Sequence, residues 1–242
     1  MRLGIDKHGT GPPVLLLHGG LSGPGVGWTE QAPLAERWEL WDVHRAGYGR
    51  SAGVSPREDF ELDASLLAPD VPAGAHVVGH SSGALAALYL AAAVPERIAS
   101  LTLIEPPAYH LAPEAAGLRE AYAQHFAREV EDWTAWLRGF FAIAQSPAPP
   151  DAVLAALEDN AKVWKGFATL PWEADLPLAA VAAAPGPKLV MSGGYLPPFE
   201  SVCDAIAAGL GAERAVIAGQ GHVVQRTGAP FNAVLEAHLL GE

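Results

Sequence analysis

Six short runs of apolar residues, rich in Val, Ile and Leu, punctuate the chain: Val14 to Leu17, Glu39 to Val43, His76 to Val78, Leu101 to Ile104, Lys188 to Met191 and Arg214 to Ile217. Their hydrophobicity is mostly continuous and not alternating, as in strands buried on both faces. Each run is followed by a Gly-containing turn or by a longer stretch with helical spacing, which is how parallel strands joined by crossover helices read. The pattern predicts an α/β fold: a mostly parallel central sheet flanked by helices.

Between the fourth and fifth runs the pattern changes. Residues 108–185 contain no convincing strand, and Trp133, Trp136, Leu137, Phe140 and Phe141 repeat at helical spacing. Pro147, Pro149 and Pro150 interrupt this helical region, and the Ala-rich stretch Leu178 to Pro187 leads back into the sheet. The expected organisation is a core of residues 1–107 and 186–242 with a helical cap inserted at 108–185. A length of 242 residues suits one sheet-centred core carrying such an insertion.

Composition narrows the function classes. Half of the residues are apolar and 17% are charged, as in a globular chain. A formal charge of 15 − 27 = −12 repels phosphate backbones and anionic lipid headgroups. Binding to nucleic acid or to a membrane surface is therefore not expected. Cys203 is the sole cysteine, which excludes an intrachain disulfide and any metal site built from several thiolates, and leaves a buried structural thiol. The N-terminal stretch MRLGIDKHGTGPP lacks the features of a secretory signal, and no apolar run approaches the ~18 residues of a membrane span. The protein is expected to be soluble and cytoplasmic.

The chemistry concentrates where the third run passes into Gly79-His80-Ser81-Ser82-Gly83 and then into an Ala/Leu helical stretch. A G-x-S-x-G sequence alone is weak, but between a strand and a helix it fits a nucleophile elbow. Ser81 would stand at the helix N-terminus, and Gly79 and Gly83 would let helix and strand approach closely. A serine hydroxyl needs a base within hydrogen-bond reach and a third group to orient that base. Of the nine histidines, His222 lies in Ala218-Gly219-Gln220-Gly221-His222, after the last apolar run and before a closing helix. A loop there can carry an imidazole over Ser81. His8, His110, His125 and His238 read as surface or core residues.

Four segments together resemble the α/β-hydrolase family over nearly the whole chain: His18-Gly19-Gly20 after the first run, Asp42 to Ser51 with its Gly47-Tyr48-Gly49-Arg50-Ser51 ending, the Ser81 elbow, and Gly221-His222. The resemblance implies an oxyanion hole formed by the backbone N–H groups of Ser82 and Gly20, with Leu21 as the alternative second donor. His18 would brace that loop. It implies no metal and no organic cofactor. One element departs from the family. The triad acid usually sits in a loop resembling Gly-Gly-Asp-x-Pro-Pro, whereas this chain has Gly193-Gly194-Tyr195-Leu196-Pro197-Pro198.

Some members, such as the haloalkane dehalogenases, place the acid after the strand that follows the nucleophile helix. Here that strand ends Leu103-Ile104-Glu105-Pro106-Pro107, so Glu105 becomes the expected acid. Relatives with the usual Asp also carry Glu-Pro-Pro at this point, and a bracing role for Glu105 is the alternative. Glu200 and Asp204 fall at the start of a helix, Phe199 to Leu210, where carboxylates offset the helix dipole.

The expected activity is hydrolysis of a small or medium neutral carboxylic ester through an acyl-enzyme, on an apolar acyl substrate. Tyr109, Trp133, Trp136, Phe140 and Trp164 are pocket candidates, although helical spacing points more often to core. A second reading is a C–C bond hydrolase, because the Gly23-Pro24-Gly25 loop is similar to one in meta-cleavage-product hydrolases. A cofactor-free lyase or cyclase and a non-catalytic ligand receptor remain open because of Tyr195.

Overall fold

All six apolar runs form strands in the computed structural model, which describes residues 1–242. They are β2 (Pro13–Leu17), β3 (Glu39–His44), β4 (Ala75–His80), β5 (Ile98–Ile104), β6 (Lys188–Ser192) and β7 (Glu213–Val216). A further strand, β1 (Gly4–His8), completes a seven-stranded sheet of order β1-β3-β2-β4-β5-β6-β7. Only β1 runs antiparallel, against β3. Its sequence, GIDKH, carries little apolar signal because an edge strand buries only part of itself.

The continuous apolar runs have a simple cause. Successive side chains of a strand point to opposite faces, so a strand covered on both sides must be apolar at every position. Leu15, Leu17, Val77, Leu101 and Leu103 enter a core on one face. Val14, Leu16, Val78, Ile104 and Met191 enter a second core on the other. The first face is covered by α1 (Phe60–Leu67), α2 (Ser82–Ala93) and α8 (Pro197–Leu210), and the second by α9 (Ala229–Leu240) with a 3-10 segment at Thr29–Glu36. Ala84, Ala86, Ala87 and Ala91 of α2 are buried, and their small side chains let this helix lie close to the sheet.

Between β5 and β6 the chain forms α3 (Ala116–Ala127), α4 (Trp133–Ile143), α5 (Asp151–Ala156), α6 (Glu158–Lys165) and α7 (Leu178–Ala183), with no strand. Asp132 caps α4, accepting from the backbone N–H groups of Thr134 and Ala135 at 2.8 and 3.2 Å. Pro147, Pro149 and Pro150 lie in the break between α4 and α5.

Under the β3 loop lies a buried charged cluster. Arg45 is fully enclosed, and its guanidinium donates to Glu58 at 2.9 Å, to Asp63 at 2.8 Å, to the His18 carbonyl at 3.0 Å and to Ser82 Oγ at 3.2 Å. Tyr48 donates its hydroxyl to the second oxygen of Glu58. The backbone of Glu58 also meets the inserted helices: its N–H reaches the Val163 carbonyl at 3.1 Å, and its carbonyl takes the Ala168 N–H at 2.8 Å. Removing one member of a buried ion cluster leaves the others desolvated and unpaired. Arg45→Met should therefore cost about 3–5 kcal/mol of unfolding free energy, read as a lowered urea midpoint at constant slope. A midpoint equal to that of the wild type would show that the cluster contributes nothing net.

Candidate functional site

The turn from β4 into α2 is held in a conformation that L-residues seldom adopt. Ser81 has φ 53° and ψ −126°, with β4 ending at His80 and α2 beginning at Ser82. Such backbone costs on the order of 1–3 kcal/mol and persists where surrounding contacts impose it. Here the Ser81 N–H donates to the Ile104 carbonyl at 2.8 Å, tying the turn to β5. The flanking glycines are required by contact. A side chain at Gly83 would collide with the carbonyl oxygens of Leu17 and His18, and one at Gly79 with the backbone of Gly83 and Ala84.

Three of the residues singled out in the sequence meet above this turn. Ser81 Oγ lies 3.0 Å from His222 Nε2, and His222 Nδ1 lies 2.6 Å from Glu105 Oε2. A carboxylate can only accept, so Nδ1 carries the imidazole proton and Nε2 presents its lone pair to the serine hydroxyl. The other Glu105 oxygen accepts the Gly193 N–H at 2.6 Å. Glu105 is fully buried, and its backbone at φ 42° is anchored by its own N–H on the Met191 carbonyl at 3.0 Å. Both of its oxygens are thus engaged, one by the imidazole and one by a main-chain amide.

Tyr195 occupies the loop where the acid usually stands. Its ring packs on Phe199 with centroids 5.9 Å apart and faces Gly221, and its buried hydroxyl has no hydrogen-bond partner. Burial pushes that phenol well above its ordinary range, so it stays protonated. Glu200 and Asp204 point elsewhere. Glu200 accepts from Ser192 Oγ, the Gly194 N–H and Arg214, while Asp204 pairs with Arg214 at 2.8 Å.

The β2 loop runs beside the turn. A side chain at Gly19 would sit 3.1 Å from Ser81 Cβ, and one at Gly20 would overlap the Trp164 indole. Neither Gly20 nor Leu21 donates its N–H to another backbone carbonyl. Ser82 opens α2, where the first N–H groups have no intrahelical acceptor. His18 is fully buried and donates Nδ1–H to the Gly19 carbonyl at 2.9 Å. Burial, with the Arg45 charge nearby, lowers its pKa to about 3, so it remains neutral. The Gly23-Pro24-Gly25 stretch is fastened to β3, with the Gly25 N–H on Asp42 at 2.6 Å, and contributes nothing to the pocket wall.

A partly open pocket lies directly over Ser81 and His222. Its wall is aromatic: Tyr109, Tyr122, Phe140, Trp164, Trp172 and Phe199 all contribute, and no Asp, Glu, Lys or Arg side chain does. Tyr109, Tyr122 and Trp172 stack with interplanar angles of 11°, 23° and 19°. Trp133 and Trp136 are not in this wall; Trp136 is buried against His125 with centroids 4.6 Å apart. Helical spacing identified apolar residues but not the rotation of each helix about its axis, which packing decides. No group of three or more His, Cys, Asp or Glu side chains is arranged to hold a metal ion, and no helix is long and apolar enough to cross a membrane.

Comparison with known proteins agrees with this architecture. The sequence profile of the alpha/beta hydrolase fold matches residues 12–146. A pimeloyl-acyl-carrier-protein methyl ester esterase of Methylococcus capsulatus is 33% identical over 184 residues, covering 65% of this chain and 70% of that protein. An esterase of the same name from Chromobacterium violaceum is 41% identical over 105 residues, 43% of this chain, and the match spans only 41% of that relative's length. Among solved structures, a hydrolase from Oleispira antarctica superposes with a TM-score of 0.78 at 19% identity, covering 100% of this chain and 96% of that one.

Proposed function

This chain belongs to the α/β hydrolase fold family, and we propose that it is a serine esterase acting on small or medium neutral carboxylic esters with an apolar acyl group. The observation that carries the reading is the relay Glu105, His222, Ser81, with separations of 2.6 and 3.0 Å, opening onto an uncharged aromatic cavity. His222 Nε2 removes the Ser81 proton as Oγ attacks the ester carbonyl. Glu105 holds the imidazole in the required tautomer and stabilises the imidazolium that forms. The resulting alkoxide is met by the backbone N–H groups of Ser82 and Gly20, with Leu21 as the alternative second donor; each such donor is typically worth ~3 to 4 kcal/mol in the transition state.

His222 then returns its proton to the leaving alcohol. Water, deprotonated by the same imidazole, attacks the acyl-enzyme and releases the acid. Residues 108–185 serve as the cap that walls the acyl site, and the absence of charged side chains from that wall selects neutral acyl chains over anionic ones. Relatives named as methyl ester esterases support this chemistry.

The test is hydrolysis of a short-chain p-nitrophenyl ester series, together with labelling by a fluorophosphonate and mapping of the modified peptide. Turnover with label on Ser81 is the expected result. Label confined to another residue would defeat the assignment, as would binding of apolar ligands without any turnover.

A further inference from the structure

The loop that delivers His222 has little to hold it. Ala218, Gly219 and Gln220 are exposed, and Gly219 and Gly221 adopt φ values of 128° and 56°, which glycine reaches without strain. Neither the N–H nor the carbonyl of His222 enters a backbone–backbone hydrogen bond. Its carbonyl is bound by a side chain instead: His80 Nε2 lies 2.8 Å from it.

We infer that His80 is a positioning residue that fixes the placement of His222 by donating its Nε2–H to the main-chain carbonyl of that base, an inference that rests on the serine-hydrolase reading above. The covalent arrangement favours this role. His80 immediately precedes Ser81, so one dipeptide at the end of β4 carries both the nucleophile and the clamp on its partner, and their relative placement is set by a single rigid strand end. His80 is 2% exposed, and its ring lies 4.8 Å from the His222 ring.

The protonation state is set by the same contacts. A carbonyl accepts only, so Nε2 carries the proton, and Nδ1 is buried without a partner beside Gly19. Burial and the neighbouring His222 hold the His80 pKa well below its usual value. A neutral His80 adds no second cation beside His222 when that residue takes the serine proton, a repulsion that a lysine or arginine donor here would create. An unpaired buried ring nitrogen has a cost, and the carbonyl clamp gives a physical reason for its retention.

The experiment compares His80→Phe, which keeps a ring and removes the donor, with His80→Gln, whose amide N–H reaches to about the same depth. Loss of the clamp displaces His222, while His80 itself is not part of the aromatic wall that binds the acyl group. His80→Phe should lower kcat ~10 to 100-fold at unchanged KM, and His80→Gln should remain within ~3-fold of wild type. A His80→Phe enzyme with wild-type kcat overturns the inference. So does a His80→Gln enzyme as impaired as His80→Phe, since packing and not the N–H would then matter.

A readout independent of turnover separates this from the reading beneath it. In wild type, imidazole nitrogen NMR should show His80 as the neutral Nε2–H tautomer, and the His222 proton shared with Glu105 should appear as a downfield resonance, weakened by exchange in His80→Phe. A His80 that titrates as an ordinary exposed histidine, or carries its proton on Nδ1, overturns the clamp even if either variant fails to fold. If wild type neither hydrolyses esters nor labels at Ser81, the serine-hydrolase reading fails, while these resonances still decide whether His80 holds His222.

Discussion

Replacing Ser81 by alanine should lower kcat on the p-nitrophenyl esters by roughly 10⁵ to 10⁶-fold, as when one member of a catalytic unit is removed, while leaving folding intact. The residue sits on backbone at φ 53°, and alanine is as strained there as serine, so the melting temperature should hardly change. Ser81→Gly makes the same chemical deletion and also releases that strain. It should be equally inactive and about 1 kcal/mol more stable than wild type, a gain measurable by denaturant titration. Opposite movements of activity and stability at one residue mark strain held for function. A Ser81→Ala protein that kept its activity would transfer the nucleophile role elsewhere, with the adjacent Ser82 the first to test.

Glu105→Gln is expected to have the next largest effect, roughly 10⁴-fold in kcat by analogy with acid-to-amide changes in Ser-His-Asp sites. The local geometry supplies the cause. One carboxylate oxygen accepts the Gly193 N–H, so the glutamine must point its carbonyl there and its NH₂ at His222 Nδ1. Nδ1 is then forced to accept, the imidazole proton moves to Nε2, and Nε2 faces Ser81 as a donor with no lone pair to take the hydroxyl proton. The size and packing of the side chain are preserved, so thermal unfolding should shift little compared with the loss of rate. Unchanged turnover would assign Glu105 the bracing role alone and leave His222 without an acid partner, because Tyr195 cannot accept as a carboxylate does.

Most of what is local along the chain was legible before the fold. The apolar runs of β2 to β6 were legible because residues buried on both faces of a sheet are mostly apolar, whereas β7 lies at the sheet edge with Glu213 and Val216 exposed. The strand-turn-helix of the Ser81 elbow was legible because contacts within a few residues impose its glycines: no side chain fits at Gly79 or Gly83. The lack of a carboxylate in the loop around Tyr195 directed attention to the end of β5, where Glu105 lies 2.6 Å from His222 Nδ1. The edge strand β1 left almost no trace, since half-exposed positions are not constrained to be apolar.

What the tertiary structure alone decided are the contacts between segments far apart in sequence. His80 and His222 stand 142 positions apart, and nothing near either one announces that the ring of the first binds the carbonyl of the second. The same is true of Arg45, which reaches Ser82, the His18 carbonyl and two carboxylates at once. It also holds for the cavity wall, where Tyr122, Trp172 and Phe199 took places that spacing could not distinguish from those of Trp133 and Trp136. Sequence pattern determines which positions must avoid water and which turns the backbone can make. The direction in which a buried ring or guanidinium points depends on how helices rotate and pack against one sheet, and that is settled only when all of them are in place.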